Sequence, residues 1–91
     1  MSRLQKLYHV YVLLCSDGSY YTGYTSNLGL RVRQHEEGSG ARYTRMHKPG
    51  RLVYAEKFNS RREAMSVERK IKTMSHDQKN RLINSPRNLV M

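Results

Sequence analysis

YHVYVLLCSDGSYYTGYT, residues 8–25, is the stretch that decides the fold of this 91-residue chain. Two runs rich in β-branched and aromatic residues flank the segment SDGS, whose Asp17-Gly18 pair is typical of a β-hairpin. The pattern predicts two antiparallel strands, over 8–15 and 20–25. A glycine inside the second strand, Gly23, indicates a bulge or the close approach of another backbone or a ligand.

Downstream of the hairpin, the spacing of apolar residues predicts three helices and one further strand. The fold class is therefore α+β, a small three-stranded antiparallel sheet flanked by about three helices. The predicted elements are a helix over 28–37, a glycine-rich basic loop over 38–50, a strand over 51–58, a helix over about 61–74 and a short helix after Ser75.

Capping residues set the predicted helix boundaries. Ser26 or Asn27 can cap the first helix, which ends at Gly38. The segments 60–63 (SRRE) and 75–78 (SHDQ) have the spacing of capping boxes. We therefore expect a single domain over 1–91 with its core at about 8–83. The tail 85–91 has no firm secondary-structure pattern, and its sequence allows a flexible end.

The composition indicates a polyanionic partner. Seventeen Lys and Arg against seven Asp and Glu give a net charge of +10, far more than solubility requires. Nucleic acid is the expected partner, although charge alone does not separate an enzyme from a passive binding protein. The single cysteine, Cys15, excludes an internal disulfide, and no apolar run is long enough to span a membrane. We expect a cytoplasmic protein.

Two basic side chains lie on the inward stripe of the first predicted helix. Leu28, Arg31, Val32 and His35 follow at i, i+3, i+4 and i+7, whereas Arg33 falls off this stripe. Arg31 offers a fixed fork of donors to a phosphate. His35 could relay a proton or simply hydrogen-bond the hairpin, and the sequence leaves both roles open.

A carboxylate has an equally unusual place on the second predicted helix. Glu68 borders the apolar stripe formed by Ala64, Val67, Ile71 and Met74. A partly buried carboxylate requires a cation. That cation could be Lys72, four residues on, or a metal ion.

These residues, in this order, resemble the GIY-YIG nuclease family over about 8–83. The positions that carry the resemblance are the triplets His9-Val10-Tyr11 and Tyr21-Thr22-Gly23, followed by Arg31, His35 and Glu68. His9 stands where the family has a glycine, and Thr22 stands where it has an isoleucine. The chain length is similar to that of the stand-alone bacterial members.

The resemblance implies an endonuclease that uses one Mg²⁺ or Mn²⁺ ion, bound by Glu68. It also implies that one of Tyr11 and Tyr21 helps to activate water while the other positions water or phosphate. Because a free phenol has a pKa near 10, a bare tyrosine is a poor base at neutral pH. We therefore expect Arg31, His35 and the metal site to depress the pKa of the tyrosines.

A shared site imposes a condition on the hairpin. Tyr11 and Tyr21 point the same way only if paired residues have numbers that sum to an even value. A two-residue Asp17-Gly18 turn would give an odd sum. We therefore predict a five-residue loop over 16–20, or a bulge near Gly23.

Other residues have weaker assignments. No spacing among the histidines and Cys15 is typical of zinc, and the remaining tyrosines Tyr8, Tyr20, Tyr24 and Tyr54 are expected in the core. The family also has a late asparagine, for which Asn80, Asn84 and Asn88 compete. The candidates for nucleic-acid contact are Arg33, Arg42, Tyr43, Lys72 and Asn80.

The function expected from the sequence is hydrolysis of nucleic-acid phosphodiester bonds. DNA of branched or damaged structure is a more natural substrate than RNA, and an unidentified protein partner could supply specificity. The alternative is a catalytically idle nucleic-acid-binding module with the same fold. A protein-interaction adaptor would leave both the charge and the Tyr/Arg/Glu set unexplained.

Overall fold

A computed structural model of the protein describes residues 6–38 and 49–90. Within these ranges, no helix is long and apolar enough to cross a membrane. The elements in chain order are β1 (Tyr8–Cys15), β2 (Tyr20–Thr25), α1 (Leu28–Glu36), β3 (Pro49–Phe58), α2 (Arg61–Lys72) and α3 (His76–Ile83).

The three strands form one antiparallel sheet in the order β2-β1-β3. The described elements therefore confirm the predicted α+β class, with β1 as the central strand. β3 begins two residues earlier than the sequence pattern indicated, at Pro49, and Cys15 pairs with it there.

The hairpin pairs residues whose numbers sum to an even value, as predicted, but its loop is shorter than predicted. Leu14 pairs with Tyr20, so paired numbers sum to an even value. The N–H of Cys15 donates to the carbonyl of Ser19 at 2.8 Å, which leaves a three-residue loop over 16–18. The prediction of a five-residue loop is therefore wrong. Gly18, with φ +85°, supplies the left-handed residue that a three-residue hairpin loop requires.

The hydrophobic core lies on one face of the sheet. Alternate residues of β1, Val10 and Val12, pack there with Tyr54 of β3 and with Ala64 and Ile71 of α2. Burying each large apolar side chain contributes about 1.5–3 kcal/mol. The core positions predicted for Tyr8, Tyr20, Tyr24 and Tyr54 are confirmed, since all four belong to this cluster or pack against it.

The caps position the helices as the sequence indicated. Asn27, rather than Ser26, caps α1, and its side-chain oxygen accepts from the N–H of Leu30. The segment 75–78 forms a complete capping box at α3. At α2 only half of the predicted box forms. Ser60 accepts from the N–H of Glu63, but the Glu63 carboxylate accepts from the Ser60 hydroxyl instead of from backbone.

The tail is fastened to the edge strand β3 by Asn88. The Asn88 side-chain amide donates to the carbonyls of Val53 and Ile83, and its oxygen accepts from the N–H of Ala55. The N–H of Leu89 also donates to the carbonyl of Ala55 at 2.9 Å. No pattern in the sequence indicated this attachment, because it depends on three backbone groups brought together by the fold.

Candidate active site

Two tyrosines lie on the face of the sheet opposite the core. In the β1–β2 register Tyr11 pairs with Gly23 and Leu13 pairs with Tyr21, so the two tyrosines share one face. Their ring centroids are 6.3 Å apart. The condition that the sequence imposed on a shared site is therefore met.

Gly23 provides the space that Tyr11 occupies. A Cβ at position 23 would lie 2.6 Å from Oη and 2.8 Å from Cζ of Tyr11, inside van der Waals contact. The β1–β2 pairing has no bulge here. The close approach expected at Gly23 is thus made by a side chain of the same sheet.

Helix α1 brings His35 against both tyrosines. His35 is 0% exposed, and its Nε2 is hydrogen-bonded to Oη of Tyr11 at 2.9 Å. Its ring centroid lies 5.1 Å from that of Tyr21. The predicted inward stripe of α1 is confirmed, because Arg31 is also partly buried whereas Arg33 is exposed.

Arg31 is held on the same side of the helix by a neighbour that the sequence analysis missed. Its Nη1 donates to Oε1 of Gln34 at 3.0 Å. The i, i+3 spacing of the two residues is the signal that could have indicated this pair. The guanidinium also acts on Tyr11, since its hydrogen bonding and its charge both lower the pKa of that phenol.

The net shift of the Tyr11 pKa is opposite to the expected one. Burial, with Tyr21 as the second cause, raises the pKa of Tyr11 to about 12 despite Arg31. Arg31 acts in the expected direction, but burial outweighs it, because a 1% exposed phenolate would lose its hydration. Burial and the charge of Arg31 likewise lower the pKa of His35 below 6.5. Both groups are uncharged at neutral pH.

Glu68, on helix α2, acts on this cluster through its charge. Its negative charge is one of the causes that raise the pKa of Tyr11. The carboxylate is 18% exposed, and its Oε2 lies 3.7 Å from Nζ of Lys72, so the ion pair considered from the sequence is present.

The donor set is small. The described ranges contain no group of three or more His, Cys, Asp or Glu side chains able to hold a metal ion. One carboxylate still fits Mg²⁺, which retains several waters and takes substrate phosphates as further ligands. It does not fit Zn²⁺, which requires three or four protein ligands.

One peripheral candidate, Asn80, lies away from the tyrosine cluster. The hydroxyl of Tyr20 donates to Oδ1 of Asn80, and Tyr20 points to the opposite face of β2 from Tyr21. Asn80 is therefore engaged on the core side of the sheet and not at the tyrosine cluster. Arg42 and Tyr43 lie outside the described residues.

His9 joins the polar face at the position of the family's glycine. It shares the Tyr11 face by strand alternation, and burial together with Lys57 lowers its pKa. Its Nδ1 is buried and makes no hydrogen bond within the described ranges. The sequence analysis treated His9 only as a departure from the family pattern, although its i, i+2 spacing from Tyr11 placed it beside the site.

Comparisons with known proteins show the family to which the chain belongs. The pattern of the GIY-YIG catalytic domain matches residues 7–81. A UPF0213 protein from Halobacterium salinarum is 50% identical over 76 residues, which are 84% of this chain and 99% of that protein. A UPF0213 protein from Staphylococcus haemolyticus is 47% identical over 76 residues, 84% of this chain and 93% of that one.

Two solved structures share the fold. The solution structure of a UPF0213 protein from Bacillus halodurans is 42% identical, with a TM-score of 0.58 over 89% of this chain and 86% of that chain. A protein from E. faecalis is 38% identical, with a TM-score of 0.61 over 87% and 84% of the two chains. The chain therefore belongs to the GIY-YIG family, a family of nuclease domains.

Proposed function

We propose that the protein is a Mg²⁺- or Mn²⁺-dependent endonuclease acting on branched or damaged DNA in the cytoplasm. The observation that carries the proposal is the convergence on the Tyr11 hydroxyl. His35 hydrogen-bonds this hydroxyl, and Tyr21, Arg31 and Glu68 all act on its pKa. Hydrolysis of a phosphodiester needs a proton acceptor and positive charge near the phosphate, and this cluster offers both.

The Tyr11–His35 pair offers a route for the proton of the attacking water. With its pKa near 12, Tyr11 is a poor base by itself. When neutral His35 carries its proton on Nδ1, its Nε2 accepts from the Tyr11 hydroxyl. Tyr11 can then take a proton from water while its own proton passes to His35, so no free phenolate forms.

Arg31 and Tyr21 would contact the phosphate of the substrate. Both are partly exposed, whereas Tyr11 and His35 lie beneath them. The guanidinium stays charged at any working pH and can hold two phosphate oxygens at once. In this proposal Arg31 neutralises the phosphate, and the Tyr21 hydroxyl orients the phosphate or the water.

Glu68 is the residue that would hold the metal ion. The ion would supply a Lewis acid for the charge that develops on the leaving oxygen. Lys72 pairs with Glu68 only at 3.7 Å and is itself exposed, so it can move from the carboxylate to a phosphate.

A binding module without catalysis is the second candidate. The observation that favours it is the same Glu68–Lys72 pair, which satisfies the carboxylate without a metal. In that case the basic surface would bind nucleic acid and the tyrosine cluster would be structural.

A nicking assay separates the two candidates. The protein is incubated with duplex, flapped and branched DNA, and with matching RNA, in Mg²⁺ or in EDTA. We expect Mg²⁺-dependent nicking that is strongest on flapped or branched DNA. Glu68→Gln and Tyr21→Phe should each lower the rate by at least ~10²-fold and leave binding intact.

Matched controls are available for both changes. Glu37→Gln removes an exposed carboxylate at the end of α1, and Tyr24→Phe removes a hydroxyl on the core side of β2. Both controls should nick at the wild-type rate. Tight binding with no nicking of any substrate would favour the binding module.

A further inference from the structure

A groove on the outer side of α2 lies apart from the residues of the tyrosine cluster. It has a volume of about 740 Å³ between the end of β3 and the exposed side of the helix. Its lining combines apolar side chains with basic ones. The residues used below are Phe58, Arg62, Met65, Ser66 and Arg69.

Four residues of this groove are regularly spaced along the helix. Arg62, Met65, Ser66 and Arg69 follow at i, i+3, i+4 and i+7, so they form one stripe along the helix. The two arginines are two turns apart, about 10 Å along the axis. Within the described ranges neither arginine has a hydrogen bond or an ion pair, whereas their neighbour Arg61 donates to the Tyr24 hydroxyl at 3.1 Å.

The acidic residue in the groove is already engaged. The Glu63 carboxylate accepts from the hydroxyl of Ser60 at the helix cap. The groove therefore presents to an anion two guanidinium groups that have no partner among residues 6–38 and 49–90. The net charge of +10 makes a polyanion the complementary partner.

The apolar part of the groove distinguishes between kinds of polyanion. Phe58 and Met65 both line the groove and are partly exposed, and Phe58 also packs against the hydrophobic core. In an undistorted duplex the phosphates face outward and the base faces are stacked on one another, out of reach of apolar side chains. Single-stranded nucleic acid presents base faces that stack on aromatic and apolar side chains while its phosphates contact basic ones.

We propose that this groove binds a single-stranded segment of the substrate, with Arg62 and Arg69 on its phosphates and its bases against Phe58 and Met65. The proposal rests on the proposed nuclease function and deepens it. Glu68 directly precedes Arg69 on the same helix, so the proposal has the strand continue from the groove to the tyrosine cluster. The preferred substrate is then DNA with a single-stranded flap or arm.

Fluorescence anisotropy tests the groove without any cleavage. Binding of a labelled oligothymidylate of about 12 nucleotides and of a blunt duplex is measured in EDTA over a series of salt concentrations. Arg62→Ala/Arg69→Ala is compared with Arg51→Ala/Arg81→Ala, which removes the same charge from two exposed residues outside the groove.

The groove variant should bind the oligothymidylate at least ~10-fold more weakly, and its salt dependence should fall by about 1.4 in the slope of log K against log salt. The control variant should lose less than ~3-fold in affinity for the oligothymidylate. The two variants should bind the blunt duplex with similar affinity. Equal losses for both variants on the oligothymidylate, or an equal loss of the groove variant on duplex and single strand, would overturn the proposal.

The nicking assay keeps this inference separate from the proposed function. If the wild type nicks flapped DNA and the groove variant keeps its preference for flaps, the groove inference fails and the nuclease stands. If no nucleic acid is nicked but the groove variant alone loses oligothymidylate binding, the nuclease fails and the groove remains a single-strand site.

Discussion

The two faces of the sheet are built from alternate residues of the same strand, β1, yet they differ in kind. On one face Val10 and Val12 pack against α2 in an apolar core. On the other face, Tyr11 lies between them in sequence and is hydrogen-bonded to His35 of α1. At β1 both faces are buried, since Val10, Val12 and Tyr11 are all at most 1% exposed.

Burial has a different consequence on each of the two faces. On the core face, burial of apolar surface stabilises the fold. On the tyrosine face, burial raises the pKa of Tyr11 and lowers that of His35, so it holds two polar groups uncharged and in contact. Substitutions should therefore cost stability on the first face and activity on the second.

The largest expected effect on stability is at the core face. Ile71→Ala should lower the free energy of unfolding by about 2–5 kcal/mol, because it leaves a cavity beside β1. Tyr21→Phe, on the opposite face, should change it by less than about 1 kcal/mol. Urea unfolding followed by circular dichroism measures both, with Ile71→Val as the milder core change. An equal loss for Tyr21→Phe would mean that the tyrosine face is structural.

The next effect is at Gly23, which lies on the tyrosine face of β2. Gly23→Ala would place a Cβ 2.6 Å from the Tyr11 hydroxyl, so the ring must shift and its hydrogen bond to His35 is disturbed. We expect a loss of about 1–3 kcal/mol in stability together with a loss of nicking.

Gly29 supplies the matched control for this substitution. A Cβ at Gly29, in α1, meets nothing within 4 Å. Gly29→Ala should therefore stabilise the protein by up to about 1 kcal/mol through helix propensity and leave nicking unchanged. If the two alanine variants behave alike, the close approach of Tyr11 to Gly23 does not matter.

The smallest effect is the pH dependence of stability. Because the pKa of folded His35 lies below the ordinary 6.5, its neutral form contributes stability that is fully present above pH 6.5. This contribution falls as the pH drops below 6.5 toward the folded pKa, by at most about 1.4 kcal/mol for each pH unit. His9 acts in the same direction. Urea midpoints between pH 7.5 and 5.5 should fall, and should fall less for His35→Gln.

The polar residues of the site could be predicted from the sequence because their spacing is local. The helix period placed Arg31 and His35 on the inward stripe before any tertiary contact was known, and the family resemblance pointed to Tyr11 and Tyr21. The even parity of the hairpin followed from the requirement that the tyrosines share a face.

The remainder depends on contacts that the sequence does not encode locally. The loop length depends on Gly18 adopting a positive φ, which allows a three-residue turn where we expected five. The direction of the Tyr11 pKa depends on how deeply the ring is buried, which outweighs the charge of Arg31. The tail is fixed by Asn88 across a separation of more than 30 residues.

The measurement that tests the central claim most directly is a double-mutant cycle on Tyr11 and His35. Single-turnover nicking of flapped DNA in Mg²⁺ is compared for wild type, Tyr11→Phe, His35→Gln and the double variant, with circular dichroism confirming that each is folded. If the pair moves one proton together, each single variant loses about 10²–10⁴-fold and the double variant loses no more than either. Losses that multiply, or single variants that nick at the wild-type rate, would contradict a shared catalytic role for the two residues.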